Sequence, residues 1–104
     1  MVEEYNSQIK DEQIDRLFEA ILKLKTTEEC YRFFEDICTV KEIQSIAQRL
    51  EVASLLVKDK TYNEIEKDTG VSTATISRIN RALNYGAGGY KIVLERLGHF
   101  KDQE

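Results

Sequence analysis

The chain has 104 residues, of which 41% are hydrophobic and 33% are charged, and its formal net charge is −4 at pH 7. This length and composition predict one soluble globular domain, and the lack of proline favours a helical fold. No apolar run approaches the about 20 residues that a membrane-spanning helix needs, and the N-terminus lacks the apolar core of a signal peptide. We therefore expect a cytoplasmic protein with no membrane partner.

Cysteine and histidine are too scarce for an ordinary zinc site within one chain. Cys30 and Cys38 lie eight residues apart and His99 is the single histidine, whereas such a site takes four ligands. Both cysteines occupy apolar positions of the sequence pattern. We therefore predict reduced thiols in the core, with a redox function as the less favoured alternative, and no metal.

Helical periodicity runs nearly from end to end of the chain. Within the first predicted helix, Ile14, Leu17 and Phe18 recur at spacings of three and four residues. Three later helices start with the S/T-x-x-E spacing of a capping box, in which the hydroxyl caps the helix and the glutamate reaches back. The capping residues are Thr26, Thr39 and Thr61. The predicted helices cover about 8–24, 27–37, 40–58, 62–68, 73–83 and 90–98.

The fourth and fifth predicted helices have the pattern of a helix-turn-helix. Gly70 can end the fourth helix because glycine takes the left-handed conformation at little steric cost, and Ser72 can cap the fifth. Ile65, Ile76 and Ile79 have the spacing that forms a small core between two crossed helices. We therefore predict that these two helices cross at the glycine turn.

The fifth helix lies in the part of the chain that carries no acid. In residues 69–94 the only charged side chains are Arg78, Arg81 and Lys91, although the whole chain is acidic. Carboxylates on this face would repel a DNA duplex, which carries one negative charge per about 1.7 Å of helix axis. The charge pattern therefore indicates a helix that contacts DNA.

Short side chains near the start of this helix suit a close approach to the floor of the major groove. Hydroxyls there can bond base edges or phosphates, Ala74 can contact a thymine methyl group, and Arg81 can reach a phosphate. The predicted DNA-binding residues are Ser72, Thr73, Ala74, Thr75, Ser77, Arg78 and Arg81.

The sequence contains "TVKEIQSIAQRLEVASLLV", "TYNEIEKDTG" and "VSTATISRINRAL". Together these stretches resemble the Trp repressor superfamily, in particular its TrpR-like YerC/YecD-type branch. The resemblance implies an all-helical, intertwined homodimer that presents two reading helices to successive major grooves about 34 Å apart. It also implies a sequence-specific transcriptional regulator, a repressor, that binds double-stranded DNA. One domain over residues 1–104 would comprise a dimerisation core (1–58), the helix-turn-helix (61–83) and a C-terminal helix (87–98).

The same resemblance bears on a small-molecule effector. In tryptophan-responsive relatives two arginines sandwich the indole ring; Arg49 and Arg78 fill those positions here, and Thr39 matches a threonine that lines the pocket. Ile79 replaces a glycine that leaves room for the ligand, and Ala82 replaces a hydroxyl that holds its amino group. A branched side chain obstructs a planar ligand, and the missing hydrogen bond costs about 1 kcal/mol or more. We therefore expect no tryptophan as cofactor, while another corepressor stays open.

Other interpretations of these residues and of the whole chain stay open. Arg49 and Arg78 can pair with acids such as Glu42 or Glu35, or contact DNA, instead of lining a pocket. The acidic chain can also be a helical protein-interaction module that kept the helix-turn-helix shape without binding DNA, or a DNA-binding subunit of a recombinase or transposase. We do not expect an enzyme, because the sequence contains neither a phosphate-binding loop motif nor a nucleophile-and-base set.

Overall fold

The computed structural model describes residues 5–99, and within them the chain forms six α-helices and no β-strand. The helices are α1 (Glu12–Ile21), α2 (Thr27–Ile37), α3 (Val40–Val57), α4 (Tyr62–Thr69), α5 (Thr73–Tyr85) and α6 (Gly89–Arg96). The predicted all-α fold with six helices is confirmed. None of the described helices is long and apolar enough to cross a membrane. The chain divides between Val40 and Lys41 into two compact units.

The first unit contains α1 and α2, and a side-chain cap sets the start of α1. Asp11 accepts hydrogen bonds from the backbone N–H groups of Gln13 (2.9 Å) and Ile14 (3.3 Å). The cap satisfies two N–H groups that would otherwise lack a partner at the helix end. The helix therefore begins at Glu12, later than the apolar periodicity of the sequence predicts.

The apolar side chains of α1 and α2 are exposed or half-buried among residues 5–99. No side chain of either helix is buried: Phe18 is 47% exposed, Ile37 51% and Tyr31 66%. Cys30 is exposed and Cys38 is half-buried. The prediction that both thiols lie in the core is therefore wrong within residues 5–99: Cys30 lies on an exposed part of α2, and Cys38 caps the end of that helix.

The second unit has a hydrophobic core built from the C-terminal half of α3 and from α4, α5 and α6. Its largest fully buried side chains are Val52, Ile65, Ile76 and Leu94. Burying each such side chain contributes about 1.5–3 kcal/mol. The cluster comprises Val52, Ala53, Val57, Ile65, Val71, Ile76, Ile79, Leu83 and Leu94. This core holds α4 and α5 on the rest of the unit.

The turn that follows α6 is hydrogen-bonded to α3. The Oγ atom of Ser54, a residue only 5% exposed, lies 2.7 Å from Nδ1 of His99. The backbone N–H of His99 donates to the carbonyl of Leu94. The segment between α3 and α6, which contains α4 and α5, is therefore anchored at both ends.

The start of α4 is a complete capping box, as the sequence predicts. Oγ1 of Thr61 accepts from the N–H of Glu64 (3.1 Å), and Oε1 of Glu64 accepts from the N–H of Thr61 (2.8 Å). The hydrogen bond from the Thr61 backbone lowers the pKa of Glu64 below its ordinary value of 4.5. Since the folded state lowers this pKa, the stabilisation is present above the ordinary pKa and is lost as the pH falls through the folded-state value.

The end of α5 requires glycine. The N–H of Gly86 donates to the carbonyl of Ala82 over 2.9 Å, and a Cβ atom on Gly86 would lie 2.4 Å from that oxygen. We expect Gly86→Ala to lower the free energy of unfolding by about 1–3 kcal/mol, because the backbone must shift to relieve the overlap. Gly89→Ala is the control, since nothing lies within 4 Å of its added Cβ and alanine favours a helix. Urea denaturation measures both; equal losses in the two variants would contradict the steric argument.

Candidate nucleic-acid interface

The helices α4 and α5 cross at a turn that is closed by hydrogen bonds. Gly70 has a φ of +78°, and its N–H donates to the carbonyl of Glu66 over 2.8 Å. The Thr69 hydroxyl donates to the carbonyl of Ile65 (2.7 Å) and accepts from the N–H of Val71 (3.1 Å). Because each of these groups has a partner, the angle between α4 and α5 is firmly set.

The small core predicted under this crossing is present. Ile65 and Ile76 are fully buried, and Ile79 is 5% exposed. Glu66, in contrast, is exposed, so its charge lies outside the crossing. The arrangement is that of a helix-turn-helix with α5 as the second helix.

The first turn of α5 uses two of the predicted DNA-binding hydroxyls for its own closure. The Ser72 Oγ atom accepts from the N–H of Thr75 over 3.2 Å and donates to the Thr75 Oγ1 atom over 3.1 Å. Thr75 is half-buried, whereas Ser72 is exposed. In the described structure these two residues therefore cap and position the helix start.

The other five predicted DNA-binding residues are exposed on α5. They are Thr73, Ala74, Ser77, Arg78 and Arg81. The opposite face of the helix carries the buried side chains of Ile76, Ile79 and Leu83. Within residues 5–99 neither Arg78 nor Arg81 has an ion-pair partner, so both guanidinium groups can take a phosphate or a base edge as their acceptor.

The exposed face of α5 extends further than the sequence predicts. The helix runs to Tyr85, two residues beyond the predicted end near Leu83, and Tyr85 is 86% exposed. A signal for it was present in the sequence: Ala74, Arg78, Arg81 and Tyr85 have the spacing of one stripe along a helix. That stripe ends on an aromatic residue outside the predicted interface.

A groove of about 550 Å³ lies between α3 and the end of α4. It is lined by Gln44, Ala47, Gln48, Glu51, Leu55, Asp68 and Thr69. At this groove the Gln48 Nε2 atom lies 3.5 Å from the carbonyl oxygen of Thr69, which makes a weak link between the long helix and the turn.

The three residues of the predicted effector pocket do not line this groove. Arg49 is exposed on α3 and Arg78 is exposed on α5, while Thr39 belongs to the first unit. Ile79, expected to obstruct a ligand, packs in the core at 5% exposure, whereas Ala82 is exposed. The effector pocket therefore stays a prediction.

Within residues 5–99 the six helices, with α4 and α5 crossed at a glycine turn and α5 basic on its exposed face, define an all-helical helix-turn-helix protein. The family model described as "Trp repressor protein" matches residues 12–98. The chain therefore belongs to the Trp repressor family. Membership of this family indicates a DNA-binding regulator rather than an enzyme.

Individual relatives agree with this assignment. The chain is 56% identical over 89 residues to the uncharacterised protein YerC from Bacillus subtilis (strain 168), with 86% of each sequence covered. It matches the crystal structure of a TrpR-like protein from Eubacterium eligens ATCC 27750 with a TM-score of 0.84 and 55% identity. It also matches a structure from Staphylococcus aureus, described as a candidate Trp repressor, with a TM-score of 0.84 and 48% identity. Each structural match covers 89% of this chain and 96% of the other.

Proposed function

We propose that the protein is a sequence-specific DNA-binding transcriptional regulator, a repressor, that inserts α5 into the major groove. The observation that carries the proposal is the exposed face of α5. It presents Arg78 and Arg81 without ion-pair partners among residues 5–99, and no acid occurs anywhere in α5. A duplex repels carboxylates and attracts unpaired guanidinium groups, so this face suits a DNA duplex.

The residues of α5 divide into two roles in this proposal. Thr73, Ala74 and Ser77 lie near the start of the helix with short side chains, so the backbone can come close to the base edges that they read. Arg81 lies one turn beyond Ser77 and contacts a phosphate, which fixes the position of the helix but carries no sequence information. Ser72 and Thr75 hold the first turn in the conformation that presents the readers.

We further propose that the protein acts as a homodimer in which residues 1–58 form the shared core. The support is the uncovered apolar surface of the single chain, since α1 and α2 bury no side chain and Val40 and Ile46 of α3 are 69% and 50% exposed. Monomeric proteins rarely leave so large an apolar surface in contact with water. A second copy covers these faces and places two copies of α5 about 34 Å apart, one helical turn of DNA.

The experiment that tests this function is selection of bound fragments from the DNA of the source genome. The full-length protein is incubated with fragmented DNA, and the retained fragments are sequenced. We expect a shared motif with two half-sites whose centres lie about 10 base pairs apart, or a multiple of that spacing, because the two reading helices enter successive turns of the groove. Retained fragments with no shared motif would contradict sequence-specific reading and favour the protein-interaction module.

A separate prediction concerns the effector. We expect calorimetry with L-tryptophan to show no binding heat at millimolar ligand, because Ala82 supplies no hydroxyl to the amino group and Ile79 replaces a residue without a side chain in the tryptophan-responsive relatives. Saturable heat at micromolar ligand would contradict the argument that Ile79 and Ala82 exclude tryptophan. The DNA-binding proposal does not depend on this outcome.

A further inference from the structure

The last residue of α5 is the most exposed large hydrophobic side chain of the described structure. Tyr85 is 86% exposed, whereas Tyr90 packs against the core. A tyrosine so fully exposed makes few contacts within its own chain that could explain a bulky aromatic residue at that position. Its place at the end of the proposed reading helix makes DNA the partner to consider.

Helix geometry puts Tyr85 on the face that carries the arginines. With 3.6 residues per turn, Ala74, Arg78, Arg81 and Tyr85 lie within a narrow stripe, and all four are exposed. The opposite side of the helix is the buried one, with Ile76, Ile79 and Leu83. The tyrosine therefore faces the same way as the side chains that the proposed function directs at DNA.

The length of α5 decides which part of the duplex Tyr85 meets. Tyr85 lies about 16 Å beyond Ala74 along the helix axis, whereas the major groove is only about 12 Å wide. If α5 enters the groove with its N-terminal residues on the base edges, as the second helix of a helix-turn-helix does, its last turn lies at the edge of the groove, beside the sugar-phosphate backbone. No carboxylate of α5 lies beside it to repel that backbone.

The last turn of α5 is well fixed, so Tyr85 is held in place at that edge. The Asn84 side-chain amide donates to the carbonyl (2.9 Å) and to Oδ1 (3.0 Å) of Asn80. The N–H of Gly86 donates to the carbonyl of Ala82 and ends the helix. The side-chain donor of Asn84 is thus used within the helix, while the phenol of Tyr85 has no hydrogen-bond partner among residues 5–99.

Resting on the proposed function, we propose that Tyr85 is a DNA-backbone contact: its hydroxyl donates to a phosphate oxygen and its ring packs on the adjoining sugar. Tyrosine is among the side chains that make such contacts. A neutral phenol that binds a phosphate releases no counterion from the DNA, whereas an arginine that binds a phosphate does. The contribution of Tyr85 is therefore independent of base sequence and almost independent of salt.

The test measures binding of the full-length protein to a selected and to a random duplex at two salt concentrations. We expect Tyr85→Phe to weaken binding about tenfold for each subunit, and hence about a hundredfold for the dimer, on both duplexes, since each lost hydrogen bond was made to a charged group. Tyr85→Ala should weaken it further, because the ring contact is lost as well. The salt slope should match the wild type in both variants. Tyr5→Phe is the control, because Tyr5 is also exposed, at 65%, but lies outside the helices.

Two reference measurements separate failure of this inference from failure of the proposed function. If Arg81→Ala weakens binding while both Tyr85 variants bind as the wild type, the inference is overturned and the function stands. If Arg81→Ala and Ser77→Ala also leave every curve unchanged, the proposed function falls and the inference with it. If the Tyr85→Ala variant sediments at the mass of one chain, Tyr85 is a contact between subunits. That result would likewise overturn the inference.

Discussion

Phe18→Glu is expected to abolish the dimer and to unfold α1 and α2. Phe18 is 47% exposed in the single chain and lies on a helix that buries nothing there. If a second copy covers this face, the substitution removes a buried aromatic ring, which costs about 3–5 kcal/mol per copy, and adds the desolvation of a carboxylate. In sedimentation velocity, loss of the dimer should appear as a change from about twice the 12.1 kDa chain mass to the mass of one chain. In circular dichroism, unfolding of α1 and α2 should appear as a weaker helix signal.

Gln13→Glu is the matched control for this substitution. Gln13 is exposed, belongs to the same helix and lies on the side opposite Phe18. The new carboxylate lies in the first turn of α1, where negative charge is favourable, so the control should remain a dimer. A Phe18→Glu protein that sediments and unfolds like the wild type would show that no partner covers α1 and would remove the model with two reading helices.

Ser77→Ala and Arg81→Ala are expected to weaken DNA binding in two different ways. Ser77→Ala should cost about 1–3 kcal/mol on the selected site and almost nothing on random DNA, because a base contact is specific to sequence. Arg81→Ala should weaken binding to both duplexes and flatten the salt slope by about one unit per contact, hence by about two in a dimer. Fluorescence anisotropy at two salt concentrations measures both quantities.

Arg96→Ala is the control for removal of a positive charge. Arg96 ends α6 and lies outside the acid-free residues 69–94, so its loss should leave the salt slope almost unchanged. An equal effect of the Arg96 and Arg81 variants would mean that the net charge of the protein, and not the face of α5, controls binding. An effect of Ser77→Ala of the same size on random DNA would assign that serine to the backbone instead of a base.

Most helix positions could be predicted because their determinants are local. The capping threonines fixed the starts of α2 and α4, and Gly70 fixed the turn, since a cap or a left-handed glycine needs only its neighbours in sequence. The predicted start of α1 near residue 8 is wrong because the Asp11 side chain caps the helix and sets its start at Glu12, whereas apolar periodicity alone does not mark a helix start. The end of α5 was missed because the apolar pattern stops at Leu83, whereas the backbone at Gly86 ends the helix.

The chemistry of individual side chains was harder to predict than their positions. The hydrogen bond between the hydroxyls of Ser72 and Thr75 depends on the rotamers of both side chains, and residue spacing in the sequence does not reveal those rotamers. The exposure of Cys30 could not be predicted from periodicity either, because an apolar stripe shows that a helix face needs cover but not which chain provides that cover.

The salt dependence of wild-type DNA binding tests most directly whether α5 reads DNA. The affinity of the full-length protein is measured across a salt series on a selected duplex and on a random duplex of equal length. One Arg81 contact in each of two subunits already gives a slope of log K against log salt of about −1.8 or steeper, and the selected duplex should bind about a thousandfold more tightly or better. A slope near zero, or equal affinity for the two duplexes, would contradict the proposal that α5 is a sequence-specific reader.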